Sequence, residues 1–386
     1  MIFLYLFLFF IILLILFDIF LYLRPQSKLK IIPKNNSYKF NKLKSIGEYY
    51  CEFEIVNLSS NKETMVPNLS IKPKFMVEDN LVKLKCEKSI SIDDGISIKK
   101  LNNYWPTLII KSNTSIKVFT TIRIENEINK KVKYIWLNIL WENYGHFGFK
   151  VRQNNFLINK DNLHIKERSL KKIRIDKNYE AIAIKTNLLG AFDEPIKTIR
   201  KYCNNVIKKG DILVIGETPL AIMQGRYINP KDLEYNFYTK FLCNFFHPTS
   251  SLATACGMQL LINKIGITRI TVSLIIGFLF KIIGLKGIFY RLSGKQASLI
   301  DDISGTTIPY DKTIVLGPEN PNYICKELSF LLNIDSAVVD VNDLGGVKIL
   351  SCSNNSIKKV LYHTLKINPA GNDDQKTPIL LIRRIN

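Results

Sequence analysis

The sequence predicts one N-terminal transmembrane helix, a β-sandwich-like domain and a C-terminal α+β domain. Three features support this prediction: an apolar run over residues 1–23, short alternating apolar segments over 40–165, and a mixed helix and strand pattern over 178–386. A chain of 386 residues has room for such domains, each with its own core. Residues 24–39 are then predicted to be a basic juxtamembrane linker, and residues 166–177 an interdomain linker.

The first 23 residues, "MIFLYLFLFFIILLILFDIFLYL", are apolar except for Asp18. A helix of this length spans about 30 Å of hydrocarbon, and the run lacks both the basic start and the small-residue cleavage site of a signal peptide. The sequence therefore predicts a retained anchor in membrane lipid. Four basic residues follow it, and the positive-inside rule then predicts that the soluble part lies in the cytoplasm: Arg24, Lys28, Lys30 and Lys34.

Residues 40–165 contain segments such as "SIKVFTTIRIENEI" and "VKYIWLNILWEN", in which β-branched and aromatic residues alternate or cluster between turn residues. Several short strands at this spacing predict a sandwich. The three tryptophans of this region have no polar constellation around them in the sequence, so we interpret them as core or sheet-surface residues. The segment shows no pattern typical of catalysis.

The formal net charge of +21 is compatible with anionic partners. Lysine is abundant throughout the chain, however, and no concentrated stripe of arginine and aromatic residues is present, so we expect no nucleic-acid partner. The seven cysteines never form a CxxC pair and the four histidines form no HExxH motif, which argues against zinc and redox sites. Any metal is expected to be a hard cation on oxygen ligands.

The run "GDILVIGETPLAIMQGR", residues 210–226, predicts a strand, a proline-containing turn that carries Glu217, and a second apolar strand that ends near Gly225 and Arg226. An arginine on a glycine turn can bind a phosphate or a carboxylate through its planar guanidinium. An ordinary surface turn explains the same residues.

A second apolar stretch, "ITVSLIIGFLFKIIGLKGIF" at residues 270–289, is interrupted by Lys281 and Lys286. We interpret it as a buried strand followed by a packed helix. A re-entrant or membrane-surface segment is the alternative.

The run "AVVDVNDLGG", residues 337–346, predicts a buried strand with Asp340, Asn342 and Asp343 where the strand ends. Carboxylates at a strand end are common in metal and phosphate sites, and a solvated turn is the alternative. Asp301 and Asp302, in "SLIDDISG", could join these acids around one or two hard cations.

Five motifs follow one another over residues 178–386. The first is the 210–226 run, with Gly210 and Asp211 at its start. It is followed by "SLIDDISG", "VLGPENP" and the 337–346 run, and the last motif is the closing "NPAGNDDQKTPILLIRR" with Gly371, Asp374, Thr377 and Pro378. In this order, the five motifs together resemble the coenzyme F420-0:gamma-glutamyl ligase family. The resemblance leaves the sandwich and the anchor without a role.

The resemblance implies a ligase that uses GTP and Mg²⁺ or Mn²⁺ to form an amide between an acid, coenzyme F420-0 or a related acid, and L-glutamate or another amino acid. It implies metal ligands at Asp301, Asp302, Asp340 and Asp343. It implies nucleotide or substrate contacts at Glu217, Gly225, Arg226, Gly371, Asp374 and Thr377, while the catalytic residues stay unassigned. A homodimer is left open.

The sequence departs from the family pattern at two places. Thr218 and Pro219 follow Glu217 where the family often has a lysine, and Leu344 and Gly346 replace an aromatic residue and an arginine. The alternative function is therefore a noncatalytic ligand-binding or scaffolding protein that retains the ligase fold. The change of pattern near residues 165–180 also predicts that residues 178–386 fold without the rest of the chain.

Overall fold

The computed structural model describes residues 2–23, 27–35, 37, 39–43, 46–78, 80–93, 98–101, 105–145, 147–160, 170–248, 250–300, 307–342, 344–371 and 375–385. The chain begins with helix α1 (Ile2–Leu23). A β-rich region follows and then an α+β region, which confirms the predicted order of these two fold types.

The β-rich region contains twelve strands and one short helix among its described residues. They are β1 (Leu29–Pro33), β2 (Lys39–Lys42), β3 (Ile46–Asn57), β4 (Thr64–Val66), β5 (Leu69–Val77), β6 (Asn80–Val82), β7 (Glu87–Asp93), β8 (Ile98–Leu101), β9 (Leu108–Ile110), β10 (Ser115–Glu125), α2 (Asn126–Lys131), β11 (Tyr134–Gly145) and β12 (Gly148–Asn159).

Two antiparallel sheets form the sandwich. One has the order β1-β3-β10-β7-β8 with β2 also paired to β3, and the other has the order β6-β5-β11-β4-β9 with β12 paired to β11. Strand β10 buries every second residue, as expected for a strand with one face in a core. Phe53 and Val118 from the first sheet and Phe75 and Ile135 from the second belong to one buried cluster, so the sheets pack face to face.

Both predicted linkers contain strands. Within 24–39, β1 pairs with β3 and buries Leu29 and Ile31 at alternate positions, which the basic residues around them had obscured. Within 166–177, β13 (Leu170–Arg174) pairs with β14 (Tyr179–Ile184) at the edge of the next sheet. An edge strand with exposed lysines is a common protection against pairing with another chain, so its polarity does not indicate a linker.

The remaining elements of the α+β region lie within residues 195–384. They are α3 (Pro195–Cys203), β15 (Ile212–Gly216), α4 (Glu217–Met223), β16 (Tyr227–Ile228), α5 (Phe237–Cys243), α6 (Ala255–Ile265), α7 (Ile267–Ile282), α8 (Ile288–Ser293), β17 (Ile314–Val315), α9 (Pro321–Leu332), β18 (Asp335–Val341), β19 (Val347–Cys352), α10 (Lys358–Leu365) and β20 (Ile379–Arg384).

The central sheet of this region has the order β13-β14-β20-β15-β18-β19, and only the β15–β18 pair is parallel. Helices cover both of its faces. Ile182 and Leu213 pack with α3 and α9 on one face, whereas Ala183 and Val214 pack with α10 on the other. Because successive residues of a strand point to opposite faces, the strands of such a sheet are apolar at nearly every position.

Two predicted strands are helices. Residues 217–223 form α4, and Pro219 is compatible with it because proline is tolerated in the first turn of a helix. Residues 267–282 form α7, of which only Ile270 and Ser273 are fully buried. A strand there would need a hydrogen-bonded neighbour, whereas a helix satisfies its own backbone groups.

Helices α5 to α8 form a helical subdomain with a separate core that contains Leu242, Met258 and Ile270. Within the described part of the chain, no single helix is long and apolar enough to cross a membrane. The apolar stretch Tyr5–Leu16 of α1 is shorter, and α6 and α7 meet the length and composition criteria only as a pair bent by 112°.

The sandwich and the α+β region share one apolar cluster. Trp136 of β11 packs edge-on against Tyr310, with ring centroids 5.2 Å apart, and Tyr227 lies 5.0 Å from Tyr310. Phe192 contacts Phe156 of β12 at 5.6 Å. Residues of both regions belong to the same buried set. This contact argues against the prediction that residues 178–386 fold alone.

We expect a fragment of residues 178–386 to lack the cooperative thermal unfolding of the full chain, because it exposes the apolar residues that the sandwich covers. It also lacks the edge strand β13. Circular dichroism melting curves and binding of an apolar dye measure the difference. A fragment that melts as the full chain does would contradict this expectation.

In the full chain, Trp136→Ala should lower the free energy of unfolding by about 3–5 kcal/mol, because it leaves a cavity at this junction. The substitution Trp105→Ala, at a half-buried position, should lower it by less.

A buried carboxyl makes the same junction sensitive to pH. Asp232 accepts a backbone hydrogen bond from Gln153 of β12, and burial raises the pKa of Asp232 from 3.8 to about 7. The folded protein therefore favours the neutral acid. This contribution to stability is present below pH 3.8 and is lost as the pH rises through about 7. Urea unfolding between pH 4 and 8 should show this loss in the parent and not in Asp232→Asn. If the unfolding free energies of the parent and of Asp232→Asn changed in parallel over this pH range, the expected contribution of Asp232 would be refuted.

Candidate functional site

A cavity of about 200 Å³ lies at one edge of the central sheet. Strands β14, β15 and β18 end at this edge, and β20 begins there, because β20 is antiparallel to both β14 and β15. The residues that follow β14 and β15 and the last residues of β18 line the cavity together with the segment before β20. Segments far apart in the sequence are thereby brought to one place.

Glu217 is the first residue of α4 and lines the cavity. It is buried, with 6% of its surface exposed. The preceding Gly216 donates its backbone N–H to the carbonyl of Pro378 at 3.0 Å, which fixes the end of β15 to the start of β20. The predicted acid-bearing turn is thus a strand-to-helix junction at which Glu217 lines the cavity.

Asp340 lines the same cavity from within β18. Its neighbour across the sheet is Lys348 of β19. Asn342, by contrast, accepts hydrogen bonds from the backbone N–H groups of Leu344 at 3.1 Å and Gly346 at 2.8 Å. The asparagine therefore closes the β18–β19 turn, and among the described polar residues of the 337–346 run it is Asp340 that reaches the cavity.

The segment before β20 forms another wall. Gly371 has φ +70°, a conformation that favours glycine, and lies on the cavity. The hydroxyl of Thr377 donates to the carbonyl of Ala370. The backbone N–H of Thr186 donates to the carbonyl of Lys376 at 2.8 Å. The predicted contacts Gly371 and Thr377 therefore line the cavity with Glu217 and Asp340, and Thr377 also fixes the shape of its own loop.

Lys376 is a lining residue that the sequence interpretation missed. It is half-buried and is the only basic side chain among the described residues of the lining. A cation in this position suits a phosphate or a carboxylate. Its position one residue before Thr377 was the available signal, but lysine is so common in this chain that it did not stand out.

Two buried tyrosines hold the loop that follows β14. Tyr310 donates its hydroxyl to the carbonyl of Leu189 at 2.8 Å, and the hydroxyl of Tyr202 accepts the N–H of Asn187 at 3.0 Å. Burial raises the pKa of Tyr202 to about 12 and that of Tyr310 well above its ordinary value. Both hydroxyls stay protonated at neutral pH, so the loop is held by neutral groups.

Gly225 and Arg226 do not line the cavity. The guanidinium of Arg226 donates to the carbonyl of Gly317 at 2.6 Å and to Gln296 at 3.2 Å, and it forms an ion pair with Glu319. Arg226 therefore holds the loop of residues 317–319 in this structure.

Asp301, Asp302, Asp343 and Asp374 lie outside the described residues. The described residues contain no group of three or more His, Cys, Asp or Glu side chains that could hold a metal ion. Glu217 and Asp340 are two carboxylates on one cavity, and their oxygens are the donors that Mg²⁺ and Mn²⁺ prefer. The donor chemistry fits such a cation, although two carboxylates alone do not fill its coordination shell.

Residues 34–162 match the family model described as F420-0:gamma-glutamyl ligase, N-terminal Ig-like domain. This match lies on the sandwich, whereas the motifs that resemble the ligase lie in the α+β region. The sandwich thus has a counterpart in the family, which the sequence interpretation did not anticipate.

No curated protein matches the chain. A solved structure described as "X-ray structure of Northeast Structural Genomics Consortium target SoR45" is 10% identical over 37% of this chain and 94% of its own length, with a TM-score of 0.22. A TM-score this low gives no basis for assigning a fold.

Asp211, at the start of the first motif, has a structural partner. It is buried and forms an ion pair with Arg383 of β20, with oxygen to nitrogen distances of 2.7 and 2.8 Å. Asp211→Ala should lower the unfolding free energy by about 3–5 kcal/mol, because Arg383 loses its nearer charged partner, at 2.7 Å, and among the described residues retains only the ion pair with Glu180 at 3.9 Å. Chemical denaturation measures this loss. Glu48→Ala, which breaks a more exposed pair with Arg123, is the control and should cost much less. Equal losses would show that Asp211 has no special structural role.

Proposed function

We propose that this protein is an amide-forming ligase that joins an acid, coenzyme F420-0 or a related acid, to L-glutamate or another amino acid with the use of GTP. The observation that carries the proposal is the convergence of Glu217, Asp340, Gly371 and Thr377 on one cavity. The family match of the sandwich supports it from an independent part of the chain.

Amide formation with a nucleotide needs an activated acid. The substrate carboxylate attacks the γ-phosphorus of GTP, GDP leaves, and an acyl phosphate forms; the amino group then attacks the carbonyl carbon and phosphate leaves. Water must be kept from the acyl phosphate, and the apolar lining residues Leu188, Val339 and Leu365 serve this purpose. Lys376 is placed to neutralise phosphate charge, and its positive charge would favour the oxygens of a bound phosphate.

Mg²⁺ or Mn²⁺ would be held by Asp340 and Glu217, with Asp301, Asp302 and Asp343 as proposed further ligands outside the described residues. The cation supplies charge neutralisation for the nucleotide phosphates. We also propose that α1 anchors the chain in membrane lipid with the soluble part in the cytoplasm, on the basis of its apolar composition and the basic residues that follow it.

A noncatalytic ligand-binding protein is the second candidate. The engagement of Arg226 with Gly317, Gln296 and Glu319 favours it, because that guanidinium is not free to bind substrate. The replacement of a lysine by Thr218 after Glu217 points in the same direction.

We expect the purified full-length chain to bind GTP only when Mg²⁺ or Mn²⁺ is present, as measured by isothermal titration calorimetry. Asp340→Asn should weaken this binding by about 100-fold, the upper end of the effect of losing an outer-shell partner of a metal ligand, because Asp340 is proposed to contact the cation itself. It should leave the melting temperature unchanged, since Asp340 is exposed to solvent.

Glu63→Gln is the matched control, because it removes an exposed negative charge from the sandwich. It should not change nucleotide binding. A parent that binds neither GTP nor metal would favour the noncatalytic candidate, and an Asp340→Asn variant that binds as the parent does would exclude Asp340 as a ligand.

A further inference from the structure

Helices α7 and α8 form a hairpin with a fixed base. Gly277 of α7 lies so close to α8 that a Cβ atom there would be 3.1 Å from the Cβ of Phe289. The ring of Phe289 in turn lies 4.8 Å from that of Phe246, next to the core of the helical subdomain. The base of the hairpin is therefore packed against the protein.

At the other end of the hairpin, the described residues of the chain leave the side chains uncovered. Residues 278–287, which we call the hairpin tip, are all exposed. Six of these ten residues are large and apolar, with 38–69% of their surface exposed: Phe278, Leu279, Phe280, Ile282, Ile283 and Leu285. Such a continuous apolar surface is uncommon on a protein in water and typically marks an interaction site.

A second apolar stripe lies on the same subdomain. Phe237, Phe241 and Phe245 recur every four residues along α5 and just beyond it, and they are 83%, 48% and 54% exposed. The hydroxyl of Tyr238 lies 2.9 Å from that of Thr271 and joins α5 to α7. The stripe and the hairpin therefore belong to one packed unit.

The charge of this subdomain has one sign. Residues 235–300 contain no aspartate or glutamate and seven basic residues: Lys240, Lys264, Arg269, Lys281, Lys286, Arg291 and Lys295. Two of them, Lys281 and Lys286, lie within the apolar tip itself. A complementary partner must offer both an apolar interior and negative charge at its surface.

We infer that the hairpin tip docks on the surface of an anionic lipid bilayer. Its apolar side chains enter the boundary between headgroups and acyl chains, about 5–10 Å deep, while Lys281 and Lys286 bind lipid phosphates. A second copy of the chain fits less well, because it would bring a like-charged tip against this one. The exposed apolar side chains of α1 are a further element that suits a lipid surface. This inference does not depend on the ligase proposal.

The test uses the full-length chain reconstituted into vesicles of phosphatidylcholine and phosphatidylglycerol with brominated acyl chains, which quench nearby tryptophan. Phe280→Trp reports on the tip, and Phe330→Trp, an exposed position on α9, is the matched control. The native tryptophans lie in the sandwich and give the same background in both variants. We expect bromine to quench the fluorescence of Phe280→Trp and not that of Phe330→Trp.

When Lys281→Gln and Lys286→Gln are added to the Phe280→Trp variant, the equilibrium constant for insertion should fall about 25-fold. Each basic residue near an anionic surface raises this constant by a factor of about five. Lys326→Gln with Lys359→Gln, two exposed lysines elsewhere, should have no such effect.

Equal quenching at positions 280 and 330 would overturn the inference, as would equal insertion into purely zwitterionic vesicles. Protection of the Phe280→Trp indole from a water-soluble quencher without bromine quenching would show that protein covers the tip, and would also overturn it.

Discussion

The apolar contact between the sandwich and the loop after β14 is the constraint on which the cavity depends. Tyr134 of β11 accepts the backbone N–H of Leu188 at 3.3 Å, and a Cβ atom at Gly190 would lie 3.0 Å from that of Leu157. The loop that carries Asn187, Leu188 and Leu189 on the cavity side is thus packed against the sandwich on its other side. Removing the sandwich would leave one wall of the cavity without support.

This arrangement gives the sandwich a physical role without chemistry of its own. None of its described residues lines the cavity, but β11 and β12 fix the loop whose residues do. The remaining walls come from the central sheet, in which backbone hydrogen bonds from Thr186 and Gly216 reach the segment before β20. Packing of the loop after β14 on the sandwich and paired backbone groups of the central sheet therefore fix these walls of the cavity.

The helical subdomain is built on a different principle. It has its own core, and residues 235–300 carry basic but no acidic side chains. The six large apolar side chains of the hairpin tip are exposed to solvent. The base of the hairpin is packed as tightly as a core, since Gly277 leaves no room for a side chain against Phe289. The protein thus separates the cavity at the sheet edge from an exposed apolar and basic surface on another subdomain.

The sequence by itself determined the order of the two fold types, because alternation in the sandwich and near-continuous apolar strands in the sheet follow from burial on one face or two. It also marked Glu217 and Asp340, since acids at strand ends are visible in a single chain, whereas Gly371 and Thr377 were marked only by the resemblance to the ligase family. The local pattern could not distinguish a helix from a strand at residues 217–223 and 267–282, because an apolar run is compatible with either element. Only the tertiary structure decided that Asp340 rather than Asn342 reaches the cavity, that Lys376 lies beside it, and that Arg226 and Asp211 bind protein groups. These outcomes depend on which distant segments the sheet brings together, and residue type does not encode that.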